Sequence, residues 1–318
     1  MRNIAGIVIA AAALASGQIP ESVEFRHLYT FGSKDGIHPR TTLNRKPATA
    51  ALGKAANPYG LVFPVGVVTD VHGRVWITDS GTLSVHVFDM ATGGYREIRR
   101  VGDVLLRQPS GLAADAQGRI FLTDSGSGGV FVFDESGEFD HALSKPSVRL
   151  LESPTAIAIS GDGKTIYVVD PPKNAVIELN REGEVNGTID LPPELSDPAA
   201  ISVIDNQIYV LGNRQHRVGI FSPGGKQRSE VRWDGIQFPT AFAYDAGRRR
   251  FLVANPRWMI VEVFNEQGKN VGAFGQQGEG VDQMRRVDAL HVDARGLLYL
   301  VDSHHGKVLV FGDSLRGL

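Results

Sequence analysis

The strongest constraint on this chain is a unit that occurs six times, at intervals of 45, 45, 44, 41 and 48 residues. Its clearest copy spans residues 106–134 and reads LRQPSGLAADAQGRIFLTDSGSGGVFVFD. Short runs of Val, Ile, Leu and Phe alternate there with Gly, Asp and Ser, a pattern typical of strands joined by tight turns. The strand-opening residues of the copies are Pro64, Pro109, Pro154, Pro198, Pro239 and Val287. A unit of this size cannot bury its apolar faces alone, so the copies must pack against one another.

The copies also agree at the ends of their strands. Second strands read VWITD, IFLTD, IYVVD, IYVLG, FLVAN and LYLVD, and a turn residue that tolerates a positive φ angle precedes each one. Those turn residues are Gly73, Gly118, Gly163, Asn206, Gly247 and Gly296. The strand-end Asp79, Asp124 and Asp170 are expected to accept hydrogen bonds from turn N–H groups. Three to four strands in each period predict an all-β, six-bladed β-propeller.

The pattern P-x-G-(I/L)-A-x-D…G-x-I-Y-x-x-D-S…V-x-V-F-D resembles the NHL repeat, and the resemblance covers residues 57–311. It implies that ligands bind where second strands end and first strands begin, which we call the upper rim. The Gly-containing turns form the opposite, lower rim. The resemblance says little about function, because function belongs to sites carried on folds.

The first residues have the composition of a targeting segment. Residues 1–15 contain one basic residue, Arg2, then an apolar run, and end in a small-x-small sequence at 13–15. This predicts a secretory signal peptide and an exported protein, periplasmic or extracellular. The run is too short to span a bilayer as a helix.

Residues 16–56 are predicted to hold a closing strand and a long connection. Residues 22–32 resemble the outer strand seen at 270–275, whereas the last copy ends at Phe311 without one. We therefore expect the N-terminal strand to complete the sixth blade and close the ring, within one propeller domain spanning 22–313, the blades occupying 57–318. The connection at 33–56 is either a functional lid or a solvated tether.

Composition restricts the classes of partner. The chain has no cysteine and a formal net charge of −2, with its basic residues scattered along the sequence. A disulfide framework is therefore absent, and nothing in the charge pattern indicates a nucleic-acid partner.

The residues that differ most from the repeat pattern cluster in the upper-rim turns of copies four to six. We take them as the candidate binding residues, because Arg, Trp and His supply donors, a stacking face and a titratable imidazole. They are Arg214, His216, Arg257, Trp258, Asp288, His304 and His305. His291, inside a first strand, is expected to be a buried histidine with its polar atoms satisfied. The strand-end aspartates are expected to be structural.

These residues favour a binding module or scaffold for a protein partner, a peptide or a polar small molecule, without a cofactor. The alternative is a metal-assisted lyase or hydrolase in which Asp288, His304 and His305 hold zinc or calcium. The resemblance to NHL-like amidating lyases and to lactonase propellers suggests that chemistry. However, the amidating lyases carry histidine after the strand-opening proline, and this chain has none there. A rigid scaffold without a small-molecule site is the third possibility.

Overall fold

The computed structural model describes residues 25–32, 60–145, 147, 150–212, 217–233 and 235–313. Six four-stranded antiparallel sheets make up the fold in these ranges, which confirms the six-bladed, all-β propeller. Two single 3-10 turns, Pro171–Lys173 and Pro193–Leu195, are the helical elements in these ranges. No helix in the described ranges has the length and apolar character needed to cross a membrane.

The strands are numbered in chain order and grouped by blade. Blade one contains β2 (Pro64–Thr69), β3 (Arg74–Asp79), β4 (Ser84–Asp89) and β5 (Tyr95–Ile98). Blade two contains β8 (Pro109–Ala114), β9 (Ile120–Asp124), β10 (Gly129–Phe133) and β11 (Phe139–Ser144). Blade three contains β12 (Ala156–Ile159), β13 (Ile166–Asp170), β14 (Ala175–Leu179) and β15 (Val185–Asp190). Blade four contains β16 (Pro198–Ile204), β17 (Gln207–Gly212), β18 (Arg217–Phe221) and β19 (Gln227–Arg232). Blade five contains β20 (Phe242–Asp245), β21 (Arg250–Asn255), β22 (Ile260–Asn265) and β23 (Asn270–Phe274). Blade six contains β24 (Val287–Val292), β25 (Leu298–Asp302), β26 (Lys307–Asp313) and β1 (Phe25–Phe31), while β6 (Arg100–Val101) and β7 (Val104–Leu105) form a small hairpin after blade one.

The N-terminal strand closes the ring, as the sequence predicted. Strand β1 pairs antiparallel with β26, with Phe31 opposite Val308, and a bulge interrupts the register between His27 and Tyr29. Phe31 is fully buried in the cluster that joins blades six and one. Closure gives the third strand of blade six a partner and removes an open edge.

The first strands of successive blades contact one another around the ring, including β24 with β2. Side chains reinforce these contacts across blade boundaries. The Thr78 hydroxyl donates to the Ser110 carbonyl over 2.6 Å, and the Thr240 hydroxyl donates to the carbonyl of Val287. The upper ends of the inner strands are therefore fixed relative to one another.

The hydrophobic core is divided among the blade junctions. In the described ranges there are six buried clusters, each drawing on two neighbouring blades. At the junction of blades one and two, for example, Trp76 packs with Phe131 and Phe133. Each sheet thus buries both of its faces, which explains why the strands read as nearly continuous apolar runs.

The lower-rim turns follow the prediction in five copies and depart from it in the fifth. Positive φ angles occur at Gly73, Gly118, Gly163, Asn206 and Gly296. In blade five the prediction of Gly247 was wrong, because Arg249 adopts the left-handed conformation, with φ of 51°. In that turn Asp245 pairs with Arg250, and the left-handed residue is the last of the four between them. In the equally long turn of blade three it is the third, Gly163.

Candidate functional site

Four of the six second strands end in an aspartate on the upper rim, namely Asp79, Asp124, Asp170 and Asp302. The Asp79 carboxylate accepts hydrogen bonds from the backbone N–H groups of Val62 and Phe63, at 2.7 and 2.9 Å, and from the turn that follows. Asp124 does the same in blade two. Asp170 accepts from the lead-in segment but from no turn N–H in the described range 150–212, because two prolines follow it. The expected bonds to turn N–H groups are therefore confirmed for Asp79 and Asp124 and are not found for Asp170.

Blade six adds side-chain chemistry to this arrangement. Asp302, which has no exposed surface, accepts from the backbone N–H groups of Arg285 and Arg286 at 3.0 and 3.2 Å. The same carboxylate lies 2.7 Å from Nδ1 of His305. A bond of this kind fixes the orientation of the imidazole and directs its other nitrogen away from the aspartate.

The second nitrogen of His305 meets another carboxylate. Nε2 lies 2.9 Å from Oε2 of Glu279, and Arg285 forms an ion pair with the other oxygen of Glu279. The hydrogen bond from His305, and the charge of Arg285 after it, hold the pKa of Glu279 below its usual value. A neutral imidazole donates through one nitrogen only, so both hydrogen bonds form together when each ring nitrogen carries a proton.

Asp288 belongs to a separate set of contacts at the channel mouth. The Ser303 hydroxyl donates to one of its oxygens, and Nε of Arg286 donates to the other over 2.8 Å. The Arg286 guanidinium also lies 5.8 Å from the centroid of the Phe63 ring, which is 38% exposed. This places a cation and an apolar surface together where blade six meets blade one.

Asp288, His304 and His305 lie on one rim but do not form a metal-binding group. His304 makes an edge contact with His305, the ring centroids being 5.7 Å apart, while Asp288 faces Ser303 and Arg286. Within the described ranges, no three His, Cys, Asp or Glu side chains are placed to hold a metal ion. The three residues do not fit zinc or calcium in this arrangement, because both ring nitrogens of His305 already contact carboxylates.

Two further candidates lie on the upper-rim turn of blade five. The Asn255 side chain accepts from the backbone N–H of Arg257 at 3.0 Å, which shapes the turn. The Arg257 guanidinium lies 5.2 Å from the centroid of the Trp258 ring, and Trp258 is 46% exposed. Met259, the next residue, adopts a left-handed conformation with φ of 53°. Arg214 and His216 lie outside the described residues.

His291 is satisfied, as the sequence analysis expected. Its Nε2 lies 2.9 Å from the Thr69 hydroxyl on the first strand of blade one. Burial lowers the pKa of His291 to about 4. The neutral imidazole therefore joins the inner strands of blades six and one and is not a ligand-binding group.

A cleft of about 210 Å³ lies on the lower rim, between the turns at 244–248 and 292–296. Its charged groups pair with one another, since Arg248 contacts Asp245 and Arg295 contacts Asp293. None of the candidate residues lines this cleft. We place the candidate site on the upper rim because its exposed aromatic and cationic side chains are concentrated there.

Sequence comparison missed two participants in the upper-rim site. Glu279 lies in the Gly-rich segment 275–280, which reads as an ordinary blade connection, and its role depends on a contact with the distant His305. Ser303 matches the serine that follows the strand-end aspartate in other copies, so comparing the copies did not single it out. Only the spatial partners of these residues distinguish them from their counterparts in other blades.

Known structures share the fold of this chain. Selenomethionine-substituted virginiamycin B lyase from Staphylococcus aureus matches with a TM-score of 0.58 and 16% identity, over 76% of this chain and 78% of that one. A catalytically inactive variant of that lyase with quinupristin gives 0.59 and 15%, over 79% and 83%. A streptogramin B lyase gives 0.60 and 15%, over 80% and 94%. At these identities the likeness shows the propeller fold alone.

Neither family models nor curated proteins match the sequence. The NHL relationship therefore stands as a resemblance of the repeat, on a propeller fold that the structure shows.

Proposed function

We propose that this protein is a binding module, and that the upper rim of blades five and six binds a polar peptide, free or as part of a partner protein, or a small molecule of the same chemistry. The observation that carries the proposal is the exposed pair formed by Arg257 and Trp258, whose ring is 46% exposed on a rigid turn. Exposed Trp and Arg are the residues most enriched where proteins bind partners.

The neighbouring blade supports this proposal with mixed chemistry. Arg285 and Arg286 have side chains that are 47% and 56% exposed, and both lie next to carboxylates. Phe63 and Val62 add exposed apolar surface from blade one. A surface of this composition suits a ligand that combines charged and apolar groups.

The experiment for this proposal selects ligands without assuming their identity. Peptides enriched from a random library on the immobilised protein are retested on the Arg257→Ala/Trp258→Ala double variant. Loss of binding by a variant with an unchanged melting temperature supports the rim site. Retained binding refutes the assignment of the site to this turn.

A lyase or hydrolase that uses the same rim is the second candidate. The specific observation in its favour is the pairing of His305 with the buried Asp302, which orients an imidazole for proton transfer. The three similar structures are lyases, one of them with quinupristin. We would incubate the protein with quinupristin and follow it by mass spectrometry, with His305→Ala as the control. A product made by the wild type and not by the variant would favour this candidate over the first.

A metal role is tested separately by elemental analysis of protein purified without chelator. One bound metal per chain, lost in Asp288→Ala and in His304→Ala/His305→Ala, would support the metal-assisted form and would require Glu279 to leave His305. Absence of metal from the purified protein would argue against it.

Export is part of the proposed function, because the composition of residues 1–15 favours a signal peptide. Cell fractionation followed by N-terminal sequencing tests it. A cytoplasmic protein that retains Met1 would contradict export.

A further inference from the structure

We propose that the Glu279 carboxylate occupies the place of a ligand carboxylate, and that His305 and Arg285 form a binding site for carboxylate-bearing ligands. The inference rests on the proposed binding function and specifies the chemistry of the ligand. Each oxygen of Glu279 has its own donor, with Oε2 at 2.9 Å from Nε2 of His305 and Oε1 paired with the Arg285 guanidinium. One N–H donor for each oxygen, one of them a guanidinium, is a strong arrangement for binding a carboxylate.

The fold holds the His305 imidazole and the backbone of Arg285 independently of Glu279. The buried Asp302 carboxylate bonds Nδ1 of His305 and the backbone N–H of Arg285, at 2.7 and 3.0 Å. One fully buried group therefore orients the imidazole and fixes the backbone from which the half-exposed Arg285 side chain extends. The His305 side chain is 14% exposed, so its ring is packed in place while Nε2 faces outward.

The other described blades lack this combination. Three residues after the strand-end acid or amide, where blade six has His305, the other blades have different side chains. These are Thr82, Ser127, Lys173 and Trp258. Of these five turns, only the one in blade six has a histidine at this position, next to the strand-end aspartate.

Glu279 is dispensable to the segment that carries it. Lys307, which is buried, donates through Nζ to the carbonyls of Gly280 and Gln283 at 2.9 and 2.7 Å. The Thr30 hydroxyl donates to the carbonyl of Val281 at 3.2 Å. The backbone after Glu279 is thus anchored to two strands of blade six, β26 and β1, whereas the Glu279 side chain is 66% exposed. Its side chain can rotate away from His305 while the segment stays in place.

Apolar surface near this rim indicates what the carboxylate ligand carries. Phe63 and Val62, on blade one, are 38% and 59% exposed. Arg286 connects them to blade six, because its guanidinium lies over the Phe63 ring and its backbone N–H bonds Asp302. A carboxylate attached to an apolar group therefore fits this part of the rim.

The test uses N-acetylphenylalanine and its amide as matched probes. Binding is measured by NMR of protein labelled with ¹⁵N-histidine, in which the His305 signals are identified by their loss in His305→Gln. We compare the wild type with Glu279→Gln and with Glu138→Gln, which removes an exposed glutamate paired with Arg96 in another part of the ring. Removing an internal competitor raises the fraction of binding-competent protein. We expect the acid to bind Glu279→Gln about three- to tenfold more tightly than the wild type, a range set by the modest strength of exposed ion pairs.

The expected controls are equally specific. Glu138→Gln should match the wild type, Arg285→Gln should lose the acid, and the amide should bind every variant more weakly than the acid binds Glu279→Gln. Equal affinities in the wild type and Glu279→Gln, equal affinities for acid and amide, or no shift of the His305 signals in any variant would overturn the proposal. Because peptide binding at Arg257 and Trp258 is scored separately, either proposal can fail without the other.

Discussion

His305 and Asp302 form the link between the fold of this protein and its candidate site. The imidazole Nδ1 lies 2.7 Å from the aspartate carboxylate, and Asp302 has no exposed surface. In blades one to three the equivalent aspartate bonds the backbone of the segment that leads into the first strand. In blade six the same structural residue also orients a side chain that faces the solvent rim. Substitutions at the two residues should therefore separate stability from binding.

Asp302→Ala should destabilise the protein strongly. The change leaves the N–H groups of Arg285 and Arg286, and Nδ1 of His305, without the buried carboxylate that accepts from them, which we expect to lower the free energy of unfolding by about 2–3 kcal/mol. Urea denaturation measures this, with Asp140→Ala as the control, because Asp140 is half exposed and forms its ion pair with the neighbouring His141. Equal stability losses in the two variants would contradict the structural role of Asp302.

Gly128→Ala should cost more stability than Gly73→Ala. Both glycines have positive φ, at 72° and 77°. A Cβ on Gly128 would lie 2.7 Å from the carbonyl oxygen of Leu151, whereas a Cβ on Gly73 would meet nothing within 4 Å. We expect a loss of about 1 kcal/mol for Gly73→Ala from the backbone conformation alone and about 1–2 kcal/mol more for Gly128→Ala. Thermal and urea unfolding of the pair should reveal this order, and the reverse order would be inconsistent with the packing.

Phe31→Ala should weaken ring closure. The side chain is fully buried between blades six and one, so its truncation should lower the free energy of unfolding by about 3–5 kcal/mol. Deleting residues 16–33 should go further and yield aggregated protein, because β26 would become an open edge. Gel filtration and calorimetry test both changes. A soluble deletion variant that melts like the wild type would show that β1 is not needed for closure.

Acid should destabilise the protein through His291. Its folded-state pKa, about 4, lies below the ordinary value of 6.5, so the unfolded chain takes up the proton first as pH falls. The stabilising effect is present above pH 6.5 and is lost as pH falls toward 4, amounting to roughly 3 kcal/mol. Urea denaturation at several pH values, for the wild type and His291→Gln, isolates this residue. We expect the advantage of the wild type to shrink over that range, and a constant difference would exclude His291 as the source.

Much of the fold could be predicted from the sequence because each blade repeats the same local rules. The strand-opening Pro64 and Pro109 and the turn residues Gly73 and Asn206 gave the period, the strands and the rims, and the structure confirms them. The left-handed Arg249 could not be predicted, because the turn has its glycine at 247 and its left-handed position two residues later. Leu83 and Met259, left-handed before third strands, were missed because neither residue type favours a positive φ angle.

The candidate site was less predictable because its contacts join residues that are distant in sequence. Comparison of the copies identified His305 and Trp258 as residues of the upper rim that differ from their counterparts in other copies. It gave no sign that His305 would meet Glu279 of a blade connection, or that Asp288 would pair with Ser303. Those contacts depend on how one connection packs over blade six, which the repeat pattern does not encode.

The affinity of the selected peptides for the Arg257→Ala/Trp258→Ala variant tests the central claim most directly. The matched control is Val71→Ala/Met90→Ala, which removes two side chains, 58% and 37% exposed, outside the upper rim. Truncating a central Trp and Arg commonly costs 2 kcal/mol or more, so we expect the rim variant to bind at least about thirtyfold more weakly and the control to bind like the wild type. Undiminished affinity in the rim variant, with both variants folded, would contradict the assignment of binding to the upper rim of blades five and six.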